Sequence, residues 1–217
     1  VDRILKETTH MTALITDILM ISRLEGNDVV EKKTDIALRP AVEELCKSFT
    51  PMANEHRVML EMQCETLCVH MSQKHVEQLI GNLISNAIKY NHEGGTVDVL
   101  IRRQENLLVI TVEDSGIGIS KEDEKHIFER FYRVDKGRSR KIGGTGLGLS
   151  IVKHIARYYH GKIDLFSREN IGTTITAQLI AFSIGDYAWA FVAVGFIMYF
   201  FFKKREFVSY LGQTVFG

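Results

Sequence analysis

Two short stretches crowded with glycine, "EDSGIGI" at 113–119 and "GGTGLGLS" at 143–150, constrain this chain more than any other feature. The first directly follows a run with strand periodicity, and the second opens a run with helical periodicity. Bare backbone N–H groups at a strand end and at a helix start, aided by the helix dipole, favour phosphate. The spacing excludes two familiar phosphate binders. No Lys-Ser/Thr pair follows the glycines as in a P-loop. Nor do they sit in a first strand-helix turn with an acidic residue about twenty positions on, as in a dinucleotide fold.

The flanking sequence supplies a scaffold for such a loop. Helical spacing governs residues 4–21, where Ile4, Met11, Leu14, Ile18 and Ile21 recur at threes and fours while Leu5, Ile15 and Leu19 widen the stripe. "EGNDVVEKKTD" interrupts it as a linker. Pro40 then starts a helix, "RVMLEMQ" and "TLCVHM" read as short strands, and Ser72 stands as N-cap of "QKHVEQLIGNLISNAIKY". A hairpin follows with its turn near Gln104–Asn106, then the glycine-rich charged stretch 115–146. A helix with Gly161 at its C-terminus and a last hairpin, "KIDLFSREN" with "GTTITAQLI", complete the pattern. Mixed elements in this order predict an α/β (α+β) domain, its mostly antiparallel sheet covered by helices on one face.

Composition narrows the partners. Lys+Arg and Asp+Glu balance at 27 each, so the charge gives no sign of nucleic acid and phosphate binding must be local. Cys46, Cys64 and Cys68, an odd set without a secretory leader, read as reduced thiols of a cytosolic compartment. Cys64 and Cys68 lack the second pair that a metal site needs. The chain opens mid-helix, as a piece of something longer would.

"NLISNAIKY" adds the third element. Asn82 and Asn86 are four apart and share a helix face, with Lys89 and Tyr90 a turn later. Two amide oxygens and an ammonium suit a Mg²⁺-bound triphosphate. Asp114, closing a strand, suits an exocyclic amine such as adenine N6. Taken singly, the asparagines also fit a solvated helix surface and Asp114 a turn; the three elements together favour the nucleotide.

"NLISNAIKY", "EDSGIGI", "IFERFYRVD" and "GGTGLGL" resemble, in order, the N, G1, F and G2 boxes of sensor histidine kinases, over roughly residues 3–180. The resemblance implies a two-layer sandwich of the Bergerat (GHKL) type at 36–180, binding ATP and Mg²⁺. It puts Asn82 and Asn86 on the metal, Lys89 on the phosphates, Tyr90 on base or ribose, and Asp114 on adenine. Gly116, Gly118, Ile119, Gly144, Thr145, Gly146, Leu147 and Gly148 would frame the nucleotide. Residues 115–146 would form a lid docked by Phe128 and Phe131. Arg133 and the run Arg138, Arg140, Lys141 are candidates for the γ-phosphate, the run equally for a solvated loop. Catalysis would then rest on Asn82, Lys89 and Arg133. Hydrolysing members of the wider superfamily carry a glutamate where Asn82 stands, so the resemblance favours phosphoryl transfer over hydrolysis.

Residues 1–26 are similar to the second helix of the family's dimerisation bundle, with 27–35 as linker. His10 lacks the following glutamate and nearby proline of the family's phosphoacceptor motif, so it reads as an ordinary helix residue and the acceptor helix as absent. Expected partners are that acceptor helix, a response-regulator receiver domain and a second copy, at the cytoplasmic face of a bacterial membrane. The alternatives are a nucleotide-binding switch module or a GHKL-type ATPase. Beyond 180 the chain turns apolar: 181–202 carries one charge, Asp186, before Lys203, Lys204 and Arg205. About 22 residues at ~1.5 Å each span a ~30 Å bilayer core. The 181–217 tail therefore reads as a membrane span, an interfacial helix, or sequence foreign to the domain before it.

Overall fold

The computed structural model describes residues 2–25, 31–134 and 145–182. The chain divides into two compact units, 1–181 and 182–217, and the apolar tail from 183 lies outside the described residues. The first unit runs α1 (Asp2–Glu25), β1 (Thr34–Ala37), α2 (Leu38–His56), β2 (Met59–Cys64), β3 (Cys68–Met71), α3 (Gln73–Lys89), β4 (Thr96–Gln104), β5 (Leu107–Asp114), a 3₁₀ turn (Asp123–Lys125), α4 (Gly148–Tyr158), β6 (Lys162–Arg168) and β7 (Gly172–Leu179).

Five strands form one sheet in the order β2-β4-β5-β7-β6, and β1 pairs with β3 as a separate ribbon. β2 and β4 are parallel; every other pair in the large sheet is antiparallel. This is the mixed, mostly antiparallel sheet expected, with α2, α3 and α4 packed on one face. Side-chain alternation explains the layering. Val97, Val99 and Ile101 of β4 point into the core while Thr96, Asp98 and Leu100 face away. Ile110 and Val112 of β5 and Ile175, Ala177 and Leu179 of β7 continue that inner face. Burial of one such aliphatic side chain is worth about 2 kcal/mol, so the pattern fixes which face meets the helices.

α3 is buried on most of its circumference, through Val76, Leu79, Ile80, Leu83, Ile84, Ala87 and Ile88. α1 seats Met20 and Ile21 in the core but leaves Met11, Ile15, Ile18 and Leu19 47–60% exposed. Its neighbour is α4.

The elements differ from the sequence reading in four places. α2 begins at Leu38, two residues before Pro40; the proline sits in the first turn, where its missing N–H has no helical partner to lose. β1 begins inside the stretch read as linker, pairing Thr34 with Met71. Ser72 does occupy the N-cap of α3, but its side chain makes no capping bond; its main-chain N–H instead donates to the Tyr159 hydroxyl at 2.9 Å. The left-handed residue after α4 is His160, φ 51°, rather than Gly161. Gly161 is needed for another reason: a Cβ there would stand 2.1 Å from the Gln178 carbonyl oxygen.

Candidate functional site

One face of α3 stays polar. Gln78, Asn82, Ser85, Asn86 and Lys89 fall at helical spacing on a helix otherwise packed into the core, and the last four line a cavity of about 250 Å³. Asn82 is held by its own helix, its Nδ2 donating to the Gln78 carbonyl at 2.8 Å. Its Oδ1 comes so near α4 that a Cβ on Gly148 would stand 2.7 Å away. Gly148 is therefore required by the asparagine. Burial lowers the Lys89 pKa from its ordinary value, as expected for an ammonium without an anion beside it.

Opposite this face, β5 ends at Asp114, whose Oδ1 accepts from the Gly116 N–H at 2.9 Å and the Thr173 N–H at 3.3 Å. Desolvation nevertheless dominates, and the carboxyl is pushed up to about 6, the two N–H donors only partly offsetting burial. The loop after Asp114 is stitched on both sides. Ile117 N–H donates to the Tyr90 carbonyl at the end of α3, and Asn170 N–H donates to the Ile117 carbonyl. Ile119 N–H donates to the Ser167 hydroxyl at 2.9 Å, which in turn contacts Thr173 Oγ1 at 2.9 Å. Gly118, at φ +67°, lies where a Cβ would meet the Arg168 carbonyl oxygen at 2.0 Å. Gly118 thus serves close packing of loop on hairpin, whereas a Cβ at Gly116 would stand 2.3 Å from the Tyr90 carbonyl oxygen, and the Gly116 N–H is spent on Asp114.

Of the second cluster, Thr145, Gly146, Gly148 and Leu149 line the same cavity. Phe131 N–H donates to the Gly146 carbonyl at 2.9 Å, and Phe131 takes a left-handed φ of 62°. The lid was expected to dock through Phe128 and Phe131. The Phe131 side chain is instead 59% exposed, and Ile127 is the buried anchor, at 8%. Two polar contacts tie this region to α1. Thr145 Oγ1 donates to Asp17 Oδ2 at 3.2 Å. Arg130 pairs with Glu25, with His154 Nε2 3.6 Å from the same carboxylate.

Of the residues singled out in the sequence, Asn82, Asn86, Lys89, Tyr90, Asp114, Gly118, Ile119, Arg133, Thr145, Gly146 and Gly148 line this cavity. Gly116 and Leu147 stand behind the wall, Leu147 fully buried. Gly144, Arg138, Arg140 and Lys141 lie outside the described residues, as does the side chain of His10 on α1. Sequence reasoning missed Thr173 and Ile175 of β7 and Val112 of β5, which complete the wall. Strand alternation was a signal for Val112 alone, two residues before Asp114 on β5; Thr173 and Ile175 reach the wall through the pairing of β5 with β7. Among the described residues no group of three or more His, Cys, Asp or Glu side chains could hold a metal, and no helix is long and apolar enough to cross a membrane.

The donor set suits a purine nucleotide with a phosphate-bound divalent cation. Val112, Ile127 and Ile175 supply apolar walls for a flat ring, and Asp114 an acceptor at its edge. Asn86 offers a carboxamide, and Lys89 a positive charge, neither of which has a hydrogen-bond or ion-pair partner among the described residues.

The family model described as histidine kinase-, DNA gyrase B- and HSP90-like ATPase matches residues 71–181. A second model, Na+/Pi-cotransporter, matches residues 163–217. Sensor histidine kinase RppB of Synechocystis sp. is 38% identical over 181 residues, covering 82% of this chain and 40% of that protein. Sensor histidine kinase WalK of Bacillus subtilis is 39% identical over 176 residues, covering 80% of this chain and 29% of that one. The chain thus spans less than half the length of these curated relatives. The catalytic domain of histidine kinase ThkA superposes with a TM-score of 0.60 at 26% identity, over 68% of this chain and 95% of that domain. The histidine kinase AdeS of Acinetobacter baumannii shares the fold, with a TM-score of 0.69 at 22% identity over 82% of each chain.

Proposed function

The chain belongs to the histidine kinase-, DNA gyrase B- and HSP90-like ATPase family, and from that premise we propose that residues 36–180 are the ATP-binding catalytic domain of a sensor histidine kinase. The observation that carries this reading is the placement of Asp114 across one cavity from the Asn82–Asn86–Lys89 face. Ionised Asp114 accepts a hydrogen bond from the adenine amine while Tyr90 covers base or ribose. Asn82 and Asn86 offer oxygens to Mg²⁺, and Lys89 and Arg133 hold the phosphates. Gly118, Ile119, Thr145, Gly146 and Gly148 frame the nucleotide, with Gly116 and Leu147 fixing the loops behind them. Bound Mg²⁺ supplies charge neutralisation at the transferring phosphoryl group.

In the reaction, an imidazole nitrogen of an acceptor helix attacks the γ-phosphorus. The new N–P bond forms as the bond to the β,γ-bridging oxygen breaks and ADP leaves. The phosphoryl group then passes to an aspartate on a response-regulator receiver domain. No carboxylate stands at the Asn82 position to activate water, which favours transfer over hydrolysis. Residues 1–26 supply the second bundle helix, and their exposed stripe of Met11, Ile15, Ile18 and Leu19 fits pairing with the acceptor helix and a second copy. The working place is the cytoplasmic face of a bacterial membrane. The match of 163–217 to a membrane transporter model supports membrane contact through residues 181–202.

The test is incubation with γ-labelled ATP and Mg²⁺, alone and with the acceptor-helix domain supplied in trans. Acid-labile, base-stable label on the added domain is the expected result. Release of inorganic phosphate without transfer would establish an ATPase, and nucleotide binding with neither outcome a switch module.

A further inference from the structure

Gln78 begins the polar stripe of α3, one turn before Asn82 and two before Asn86, yet it lies outside the cavity wall that Asn82, Ser85, Asn86 and Lys89 form. Its Oε1 is the one buried side-chain oxygen or nitrogen without a hydrogen-bond partner among the described residues. Buried acceptors are rarely left unpaired, because each forfeits its hydration without compensation. A Leu or Met at this position would cost the fold nothing of that kind.

The mate to this acceptor lies one turn away. Asn82 Nδ2 carries two hydrogens and spends one on the Gln78 main-chain carbonyl, and no second acceptor receives the other among the described residues. Gln and Asn four apart on a helix are within mutual reach. An unused donor and an unused acceptor therefore stand one helical turn apart.

We infer that Gln78 is a positioning residue for Asn82: its Oε1 receives the second Asn82 N–H when a metal-bound nucleotide is present, fixing the carboxamide with Oδ1 turned to the cation. An amide that must offer its oxygen to a metal needs its NH₂ end held elsewhere, as metal-binding imidazoles need their far nitrogen held. The helix main chain holds one hydrogen and the Gln78 side chain the other. Without the second bond only the Gln78 main-chain carbonyl opposes a turn of the NH₂ end toward the cation. The inference rests on the nucleotide reading of the cavity and names the device that orients one of its ligands.

The experiment compares binding of a non-hydrolysable ATP analogue by calorimetry, with Mg²⁺ and with EDTA, for the 217-residue chain and for Gln78→Met and Gln78→Glu. Thermal unfolding of each ligand-free protein is recorded alongside. Gln78→Met should melt at or above the wild-type temperature, keep its affinity in EDTA, and lose about tenfold of the Mg²⁺-dependent gain. Gln78→Glu keeps accepting oxygens and should retain that gain. An undiminished gain in Gln78→Met overturns the inference. So does a lower melting temperature with equal losses in Mg²⁺ and EDTA, which marks a merely structural role. Failure of the nucleotide reading looks different: the wild-type chain itself would then show no Mg²⁺-dependent binding.

Discussion

At the Asp114 end of the cavity nearly every polar group is engaged, whereas along α3 the Asn86 amide and the Lys89 ammonium have no partners among the described residues. The first end is stitched from three elements: Gly116 and Thr173 hold Asp114, Ser167 holds Ile119, and the Tyr90 carbonyl holds Ile117. The second offers its unpaired groups on one rigid helix face. The difference follows from what each end must recognise. A flat base is selected by shape, which needs immobile walls. A phosphate chain with its metal is held by charge, which needs groups not already neutralised.

The sharpest break in this comparison is Gly118→Ala. With φ at +67° and a Cβ 2.0 Å from the Arg168 carbonyl oxygen, any side chain must push the loop off the hairpin. The expected cost is about 3 kcal/mol or more in chemical denaturation, combining left-handed strain with a backbone clash.

Asp114→Asn separates binding from folding. Nucleotide affinity should fall about 100-fold, since the amide presents a donor where the base amine needs an acceptor. Ligand-free stability at neutral pH should rise, because a desolvated charge is removed.

The same carboxyl fixes a pH dependence. Its folded-state value of about 6 stands above the ordinary 3.8, so its contribution to stability is complete below about pH 4 and lost as pH rises through 6. Binding has the opposite sign. The ionised form is the one that accepts, so affinity should drop about tenfold per unit below pH 6. His75 runs against this trend in stability, because burial lowers its pKa and acid must charge it. Comparing wild type with Asp114→Asn across pH 4–7 isolates the aspartate.

Lys89→Met should have the smallest effect: about a tenfold loss of triphosphate affinity, little loss for adenosine, and unchanged or slightly higher thermal stability. A large loss for adenosine as well would collapse the distinction between the two ends.

How much of this was readable beforehand follows the same division. The α3 stripe is a local pattern, with helical spacing placing Asn82, Asn86 and Lys89 on one face before any fold is known. Asp114 was legible because it ends a strand just before a glycine turn. Thr173, Ser167 and Ile175 were not. Their roles come from the pairing of β5 with β7, and no spacing within a single segment reveals a partner 59 residues away. The glycines were legible as a cluster but not as individuals. Gly118 and Gly148 answer to Arg168 and Asn82, neighbours that only the tertiary fold supplies. The docking role of Phe131 came from the resemblance alone, and here its backbone makes the contact instead.

The bond from Thr173 to Asp114 also sets an order of events during synthesis. Asp114 leaves the ribosome 59 residues ahead of its partner, about 3 to 12 seconds at ordinary elongation rates of 5–20 residues per second. Through that interval β5 can pair with β4 but not with β7, and it presents Leu108, Ile110 and Val112 beside an open row of backbone donors and acceptors. A nascent chain in that state exposes the apolar unpaired edge that chaperones capture and other chains add to. The strand that completes the pocket is also the one that ends this exposure.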